Sequence, residues 1–213
     1  MKRIIALSLW IALAAASLGA HADTPGPDVL IRDTVQEVLT IVKQDKEIQS
    51  GNQKKVLELV DAKVLPHFNF ERMTRLAVGK GWRTATPEQK KTLVTEFRNL
   101  LVRTYTSAFT RYRDQNVEIK PLKMPAGADE VTVRTLVVKP GAQPIEVDYE
   151  MEKTADGWKA YDLSVEGASL VTTYRGTFTE QIQQAGIDGL IKTLVEKNQA
   201  AANAPRKTEK SGG

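Results

Sequence analysis

The chain has 213 residues, no cysteine and a formal net charge of +4. A chain of this length buries a core without cross-links, and the lack of thiols excludes disulfides and thiolate metal sites. Part of the positive charge comes from Lys2 and Arg3 in a predicted leader, so the charge balance does not indicate a nucleic-acid partner.

The first 22 residues are typical of a secretory signal peptide. Lys2 and Arg3 precede an apolar run over residues 4–18, which is shorter than the about 20 residues that span a bilayer. Residues 20–22, Ala-His-Ala, fit the small-residue cleavage pattern. We therefore predict a soluble exported protein whose mature chain begins at Asp23. The alternative is that the segment is retained as a membrane anchor.

The predicted helices precede the predicted strands. Apolar residues recur at helical spacing after Asp28 and again from residue 53 to Pro66. Residues 86–89, Thr-Pro-Glu-Gln, combine an N-cap, a proline in the first turn and a capping box. The helix that starts there is predicted to reach about Arg113 and to be the longest in the chain. Its apolar arc of roughly 200° exceeds the about 100° of a surface helix. It either packs among other helices or also lines a cavity.

Four strands follow. Residues 116–122 and 130–138 have strand character, and residues 145–152 alternate strictly between apolar and acidic. Asp156-Gly157 indicates a type I′ hairpin turn, which needs positive φ at both central residues. The next strand is expected to place Tyr161, Leu163 and Val165 on one face. Short connections between consecutive strands predict an antiparallel sheet.

The pattern becomes helical again after Gly167, Gly186 is expected to end that helix, and one more helix follows. The composition from residue 199 onward predicts a disordered tail. We therefore predict an α+β fold in which several helices pack on one face of a curved four-stranded antiparallel sheet. Residues 23–198 form one domain in this interpretation, residues 199–213 the tail, and an apolar cavity lies between the second hairpin and the following helix.

No motif in the sequence indicates an enzyme. His67 is the only histidine of the mature chain and lacks an evident partner, and Ser169 is not followed by the glycine that a nucleophile elbow requires. Arg83 and Arg175 suit either phosphate recognition or surface ion pairs. The acidic row of the third strand is interpreted as a solvated outer face; a calcium or acid–base site and a docking stripe are the alternatives. The row comprises Glu146, Asp148, Glu150 and Glu152.

Several ordered motifs in the mature chain resemble the MlaC, or toluene-tolerance, family of periplasmic phospholipid-binding proteins. The motifs are HFNFERMTRLAVG from His67, WRTATPEQ from Trp82, FxxLLxRTY from Phe97, VDYEM from Val147, GWKAYDL from Gly157 and VEGASLVTTYRGTF from Val165. The resemblance spans almost the whole mature chain. Asn69 is a departure, because an acidic residue is expected there.

The resemblance implies an NTF2-like curved sheet with an added helical part and a deep apolar pocket. It implies a periplasmic phospholipid shuttle that maintains the lipid asymmetry of the outer membrane. The implied partners are an outer-membrane lipoprotein–porin complex and an inner-membrane ABC transporter with a substrate-binding ring protein. No enzymatic activity, cofactor or metal is expected, and the protein is expected to be a monomer.

Burying acyl chains requires an apolar lining, because each methylene in water costs about 0.8 kcal/mol. The lining is predicted to include Phe97, Leu101, Tyr105, Val147, Tyr149, Leu163 and Tyr174, with Trp82 or Arg175 near the mouth. The same side chains would suit an ordinary core. Two further hypotheses remain: a small-molecule enzyme on the same scaffold, which needs a polar acid–base group in the pocket, and an adaptor that docks partners without a ligand.

Overall fold

A computed structural model of the protein describes residues 25–111 and 115–203, without the side chains of residues 107–111. The predicted signal peptide lies outside the described residues. Six α-helices are described: α1 Pro27–Gln44, α2 Lys46–Gln49, α3 Gln53–Lys63, α4 Phe70–Val78, α5 Pro87–Arg111 and α6 Leu170–Asn203. None of these helices is long and apolar enough to cross a membrane.

The predicted start of the long helix is confirmed. The backbone N–H of Gln89 donates to Oγ1 of Thr86 at 3.2 Å, and the N–H of Thr86 donates to Oε1 of Gln89 at 3.0 Å, which closes the capping box. The predicted end at Arg113 lies outside the described residues.

Two helical segments meet within α6. Gly186 has a φ of 70°, in the left-handed region that favours glycine, and interrupts the helix as expected. The second segment continues to Asn203, so the chain is still helical at residue 199, where the tail is predicted to begin. The rest of the predicted tail lies outside the described residues.

The strands form an open antiparallel sheet in the order β1-β2-β3-β4-β5, which confirms an α+β fold. The strands are β1 Asn116–Ile119, β2 Glu130–Val138, β3 Ile145–Thr154, β4 Gly157–Val165 and β5 Ala168–Ser169. The predicted number of four strands is wrong, because the short β5 folds back onto the end of β4 and pairs Ala168 with Val165.

The turn between β3 and β4 also differs from the prediction. Thr154 pairs with Gly157, so Ala155 and Asp156 form the loop. Gly157 has a φ of 102°, whereas Glu166 is the only non-glycine residue with positive φ in the described chain. A type I′ turn would need positive φ at two successive residues. The type I′ prediction is therefore wrong, although the hairpin itself is present.

A β-bulge changes the face on which Tyr161 lies. Tyr149 pairs with Leu163 and Met151 pairs with Ala160, so the register shifts between the two pairs and Tyr161 is the extra residue. Its hydroxyl donates to Glu130 at 3.2 Å, on the acidic face of the sheet. The prediction that Tyr161 shares a face with Leu163 and Val165 is therefore wrong, because strict alternation fails at a bulge.

Three clusters of buried residues hold the elements together. The largest joins α4, α5 and α6 and includes Leu93, Phe97 and Phe178. A second lies between α1, α2 and α3, and a third packs α1 on the inner face of the sheet. The space where α1, α3, α5 and the sheet face one another is not filled by these clusters.

Candidate ligand-binding cavity

A cavity of about 400 Å³ lies between the inner face of the sheet and the helices α1, α3 and α5. This volume falls in the about 300–1,000 Å³ range of small-molecule sites. The apolar part of its wall comprises Ile31, Val35, Val38, Leu39, Val42, Val60, Val64, Leu65, Phe68, Phe70, Met73, Leu101, Val102, Val117, Val137, Ile145, Val147, Ala160, Leu163, Val165 and Leu170. The wall is therefore suited to hydrocarbon.

The alternation of β3 explains one side of the wall. Ile145, Val147 and Tyr149 are two residues apart, so all three side chains point to the inner face of the sheet. Across β4, Leu163 pairs with Tyr149 and Val165 pairs with Val147, which extends the same surface. The strict period of two in the sequence therefore predicts which side chains of β3 face the cavity.

The long helix α5 has two different surroundings along its length. Its first half contributes Leu93 and Phe97 to the core with α4 and α6, and both side chains are fully buried. Its second half contributes Leu101, Val102 and Tyr105 to the cavity wall. Leu101 belongs to both the core and the wall, so the wide apolar arc of α5 serves both surroundings.

Six polar side chains also belong to the wall: Thr34, His67, Tyr105, Thr106, Gln115 and Tyr149. Thr106 donates to the carbonyl of Val102, one turn earlier in the helix. Gln115 is buried, and its Oε1 has no hydrogen-bond partner among the described residues. Tyr105 is 39% exposed, and partial burial together with the neighbouring Tyr174 raises its pKa. Tyr105 is thus the most solvent-exposed residue of the wall.

The surroundings of the His67 imidazole favour its uncharged form. Burial, and to a lesser extent the positive charge of Lys159, lowers the pKa of His67 below its ordinary value of 6.5, against a weaker opposing effect of Glu37. No hydrogen bond to this imidazole is present within the described ranges, so no carboxylate orients it as a general base requires. Nor do the described residues contain a cluster of three acidic or histidine side chains that would hold a metal ion.

The structure brings five of the nine predicted lipid-binding residues together around the cavity: Leu101, Tyr105, Val147, Tyr149 and Leu163. The other four lie outside the wall. Phe97 packs edge-to-face on Tyr174, with ring centroids 5.1 Å apart, in the core of α4, α5 and α6. Trp82 packs on the same core, and Arg175 donates from Nε to the carbonyl of Leu76 at 2.9 Å.

Helices α1 and α3 form a part of the wall that the sequence analysis did not identify. Residues Ile31, Val38 and Val60 have the helical spacing of buried residues, which was visible in the sequence. Spacing shows that a helix buries one face, but it does not show what that face contacts. The sequence therefore showed that these helices bury one face, but not that this face lines the cavity.

The acidic row of β3 lies on the opposite face of the sheet. Glu146 binds Lys120 at 2.8 Å and Asp148 lies 3.7 Å from Arg134, which confirms the interpretation of an outer face balanced by basic neighbours. Glu152 differs, because its side chain is only 17% exposed and is held by Arg72. The row does not enter the cavity.

Comparisons with known proteins agree on one family. The model of the MlaC protein family matches residues 32–196. The toluene tolerance protein ttg2D of Pseudomonas putida is 27% identical over 217 residues, covering 99% of this chain and 100% of the relative. The intermembrane phospholipid transport system binding protein MlaC of Haemophilus influenzae is 23% identical over 189 residues, covering 87% and 86%.

A solved structure shows the same fold. The phospholipid-binding protein from Ralstonia solanacearum, in complex with a phospholipid, matches with a TM-score of 0.78 and 37% sequence identity. The match covers 84% of this chain and 100% of that chain.

Proposed function

The chain belongs to the MlaC family, and from this premise we propose that it is a soluble periplasmic carrier of phospholipid that holds acyl chains in its apolar cavity. The observation that carries the proposal is the cavity itself, whose wall is made mainly of aliphatic and aromatic side chains from the sheet and the surrounding helices. The phospholipid in the complex of the Ralstonia solanacearum relative supports it.

The cost of exposing hydrocarbon to water explains why a carrier needs such a cavity. Each methylene contributes about 0.8 kcal/mol, so a 16-carbon chain left in water costs on the order of 12 kcal/mol. A phospholipid crosses an aqueous compartment at a useful rate only when its chains are enclosed. The head group is polar and needs no enclosure, so weak head-group specificity is expected.

The size of the cavity bears on how a lipid enters. A methylene is close to a water molecule in size, which occupies about 30 Å³. The about 400 Å³ of the cavity then matches little more than a dozen such groups. Two long acyl chains need more than this, so loading of a diacyl lipid requires the walls to separate. We place this movement between α1 and the sheet, which meet through apolar side chains.

In this proposal the protein shuttles lipid between two membranes and so maintains the asymmetry of the outer membrane. Its partners are an outer-membrane lipoprotein–porin complex and an inner-membrane ABC transporter with a substrate-binding ring protein. The protein acts as a monomer and catalyses no reaction. A partner releases the lipid by binding the open form more tightly than the closed form, because a ligand shifts an equilibrium only by its differential affinity.

We assign residues 23–198 to one lipid-binding domain with an NTF2-like curved sheet and an added helical part. Contact with the acyl chains is assigned to Leu101, Tyr105, Val147, Tyr149 and Leu163. Phe97 and Tyr174 support the wall from behind, since they pack in the adjoining core. Trp82 and Arg175 are given no contact with the chains.

Native mass spectrometry of the mature chain, expressed in bacteria from Asp23, tests the proposal. We expect a species heavier than the polypeptide by the mass of a phospholipid, which organic extraction releases. A delipidated sample should regain this mass when it is incubated with phospholipid vesicles. A protein that carries no lipid and takes none up would contradict the proposal.

One observation favours the alternative of an enzyme. His67 lines the cavity, which is the position that a small-molecule enzyme on this scaffold would need for an acid–base group. The hypothesis predicts hydrolysis of ester or phosphodiester substrates that is lost in His67→Gln. Retention of intact phospholipid over hours at 37 °C, with no fatty acid released, would exclude it.

A further inference from the structure

Tyr149 lies on the central strand of the sheet, and its side chain is partly accessible. It stands on β3 between Val133 of β2 and Leu163 of β4, and it packs in the cluster that joins α1 to the sheet. Its side chain nevertheless retains partial exposure and belongs to the cavity wall. Because strands and helices surround it, the exposed part of the ring faces the cavity.

The hydroxyl of Tyr149 has no hydrogen-bond partner within the described ranges. Burial raises the pKa of this hydroxyl to about 12, and no neighbouring group opposes the effect. The group is therefore a neutral donor. Buried tyrosine hydroxyls usually find a partner, since an unsatisfied one loses its hydrogen bonds to water.

Two further polar side chains, Thr34 and His67, belong to the cavity wall. Thr34 precedes Val35 and His67 precedes Phe68, and Val35 and Phe68 pack in the cluster that contains Tyr149. Neither the Thr34 hydroxyl nor the His67 imidazole has a hydrogen-bond partner in the described part of the chain. A hydroxyl and a neutral imidazole can both donate a hydrogen bond. The wall of an otherwise apolar cavity therefore offers several donors.

We propose that the Tyr149 hydroxyl donates a hydrogen bond to an acceptor oxygen of the bound lipid and so selects lipids that carry such an oxygen at the head of the acyl chain. This inference rests on the proposed function and deepens it. A carbonyl oxygen of an acyl ester and a phosphate oxygen share the required chemistry. The ester carbonyl is the more fitting acceptor, because it is directly attached to the chain that the cavity encloses.

The test compares two phospholipids that differ only at the chain linkage. Delipidated mature protein is titrated with ester-linked diacyl phosphatidylglycerol and with its ether-linked dialkyl counterpart of equal chain length. The wild type is expected to bind the ester lipid roughly two- to tenfold more tightly, the range of one neutral hydrogen bond. Tyr149→Phe keeps the ring and should remove this preference. Tyr161→Phe is the matched control, because its hydroxyl contacts Glu130 on the outer face.

Each outcome has a defined meaning. Loss of the ester preference in Tyr149→Phe supports the inference with the ester carbonyl as acceptor. Equal weakening of both lipids supports it with a phosphate oxygen as acceptor. Unchanged affinity for both lipids in a variant that keeps its thermal midpoint would overturn the inference while leaving the carrier function intact. Failure of every variant and the wild type to bind either lipid would overturn the proposed function, and the inference with it.

Discussion

Arg72 on α4 binds Glu152 on β3 through Nη1 at 2.5 Å, and both side chains are more than four-fifths buried. Nη2 of the same guanidinium binds Glu130 on β2 at 2.7 Å, and Cζ of Arg72 lies 3.6 Å from the ring centroid of Tyr161. Arg72 thus joins α4 to three strands. The network fixes the position of α4, whose other side contributes Phe70 and Met73 to the cavity wall.

Removing this guanidinium should destabilise the fold. Arg72→Met leaves Glu152 largely buried without its charge partner, and breaking such a pair costs about 3 kcal/mol. Equilibrium urea unfolding of the mature chain measures the change. Lys54→Met is the matched control, because Lys54 meets Glu58 at an exposed site and should change stability by less than about 0.5 kcal/mol. Equal effects of the two substitutions would contradict the role given to Arg72.

Asn69 should not tolerate the acidic residue expected there from the family resemblance. Its Oδ1 accepts from the N–H of Arg72 at 3.0 Å and caps α4, while its Nδ2 donates to Glu152 at 2.8 Å. Asn69→Asp keeps the cap but replaces the donor with a second carboxylate against Glu152. We expect a loss of about 1–2 kcal/mol in the free energy of unfolding at pH 7.

Asn52→Asp provides the control for this substitution. Asn52 also caps a helix and donates from Nδ2 to a carboxylate, that of Glu47 at 2.8 Å, but at an exposed site. Solvent screens the new repulsion there, so the effect should be smaller. A stabilising effect of Asn69→Asp would contradict the interpretation of the Asn69–Glu152 contact.

His67 should give a pH dependence to the stability of the fold. Burial lowers the pKa of His67 below 6.5, so the unfolded chain binds more protons than the folded chain as pH falls below that value. Stability is thus fully present above pH 6.5 and decreases below it. The urea midpoint measured between pH 5 and 8 should show this slope. His67→Gln should flatten it, and an unchanged slope in the variant would assign the effect to other groups.

Filling the cavity should exclude lipid without unfolding the protein. Val147→Trp adds a large ring to the middle of the inner face, and displacement of even two methylenes costs about 1.6 kcal/mol, or roughly tenfold in affinity. Native mass spectrometry should show at least this loss of copurified phospholipid. Leu57→Trp, at a side chain that is 37% exposed, should retain lipid. Equal lipid content in both variants would argue against binding in this cavity.

Phe97 should behave as a core residue rather than a ligand contact. It is fully buried and packs on Phe178 with ring centroids 5.2 Å apart. Phe97→Ala should lower the free energy of unfolding by about 3–5 kcal/mol. Below its reduced thermal midpoint the variant should still carry phospholipid, as native mass spectrometry can check. A folded Phe97→Ala protein that has lost its lipid would place Phe97 in direct contact with the chains.

Features set by neighbours in the sequence could be predicted. The capping box of Thr86 and Gln89 needs residues three apart, the inward face of β3 needs only its alternation, and the break at Gly186 needs one glycine. These features depend on local backbone geometry, which the sequence alone determines. The α+β class and five of the nine lining residues follow from the same local patterns.

Only the tertiary structure shows which part of the protein packs against the apolar face of each helix and strand. Phe97 and Leu101 lie one turn apart on α5 and both pack in the core with α4 and α6, yet only Leu101 also reaches the cavity wall. The bulge that turns Tyr161 outward is set by the pairing of β4 with β3. Packing between segments that are distant in sequence determines the surroundings of these residues. Hydrophobic periodicity shows that a face is buried, but it does not show which segment covers that face.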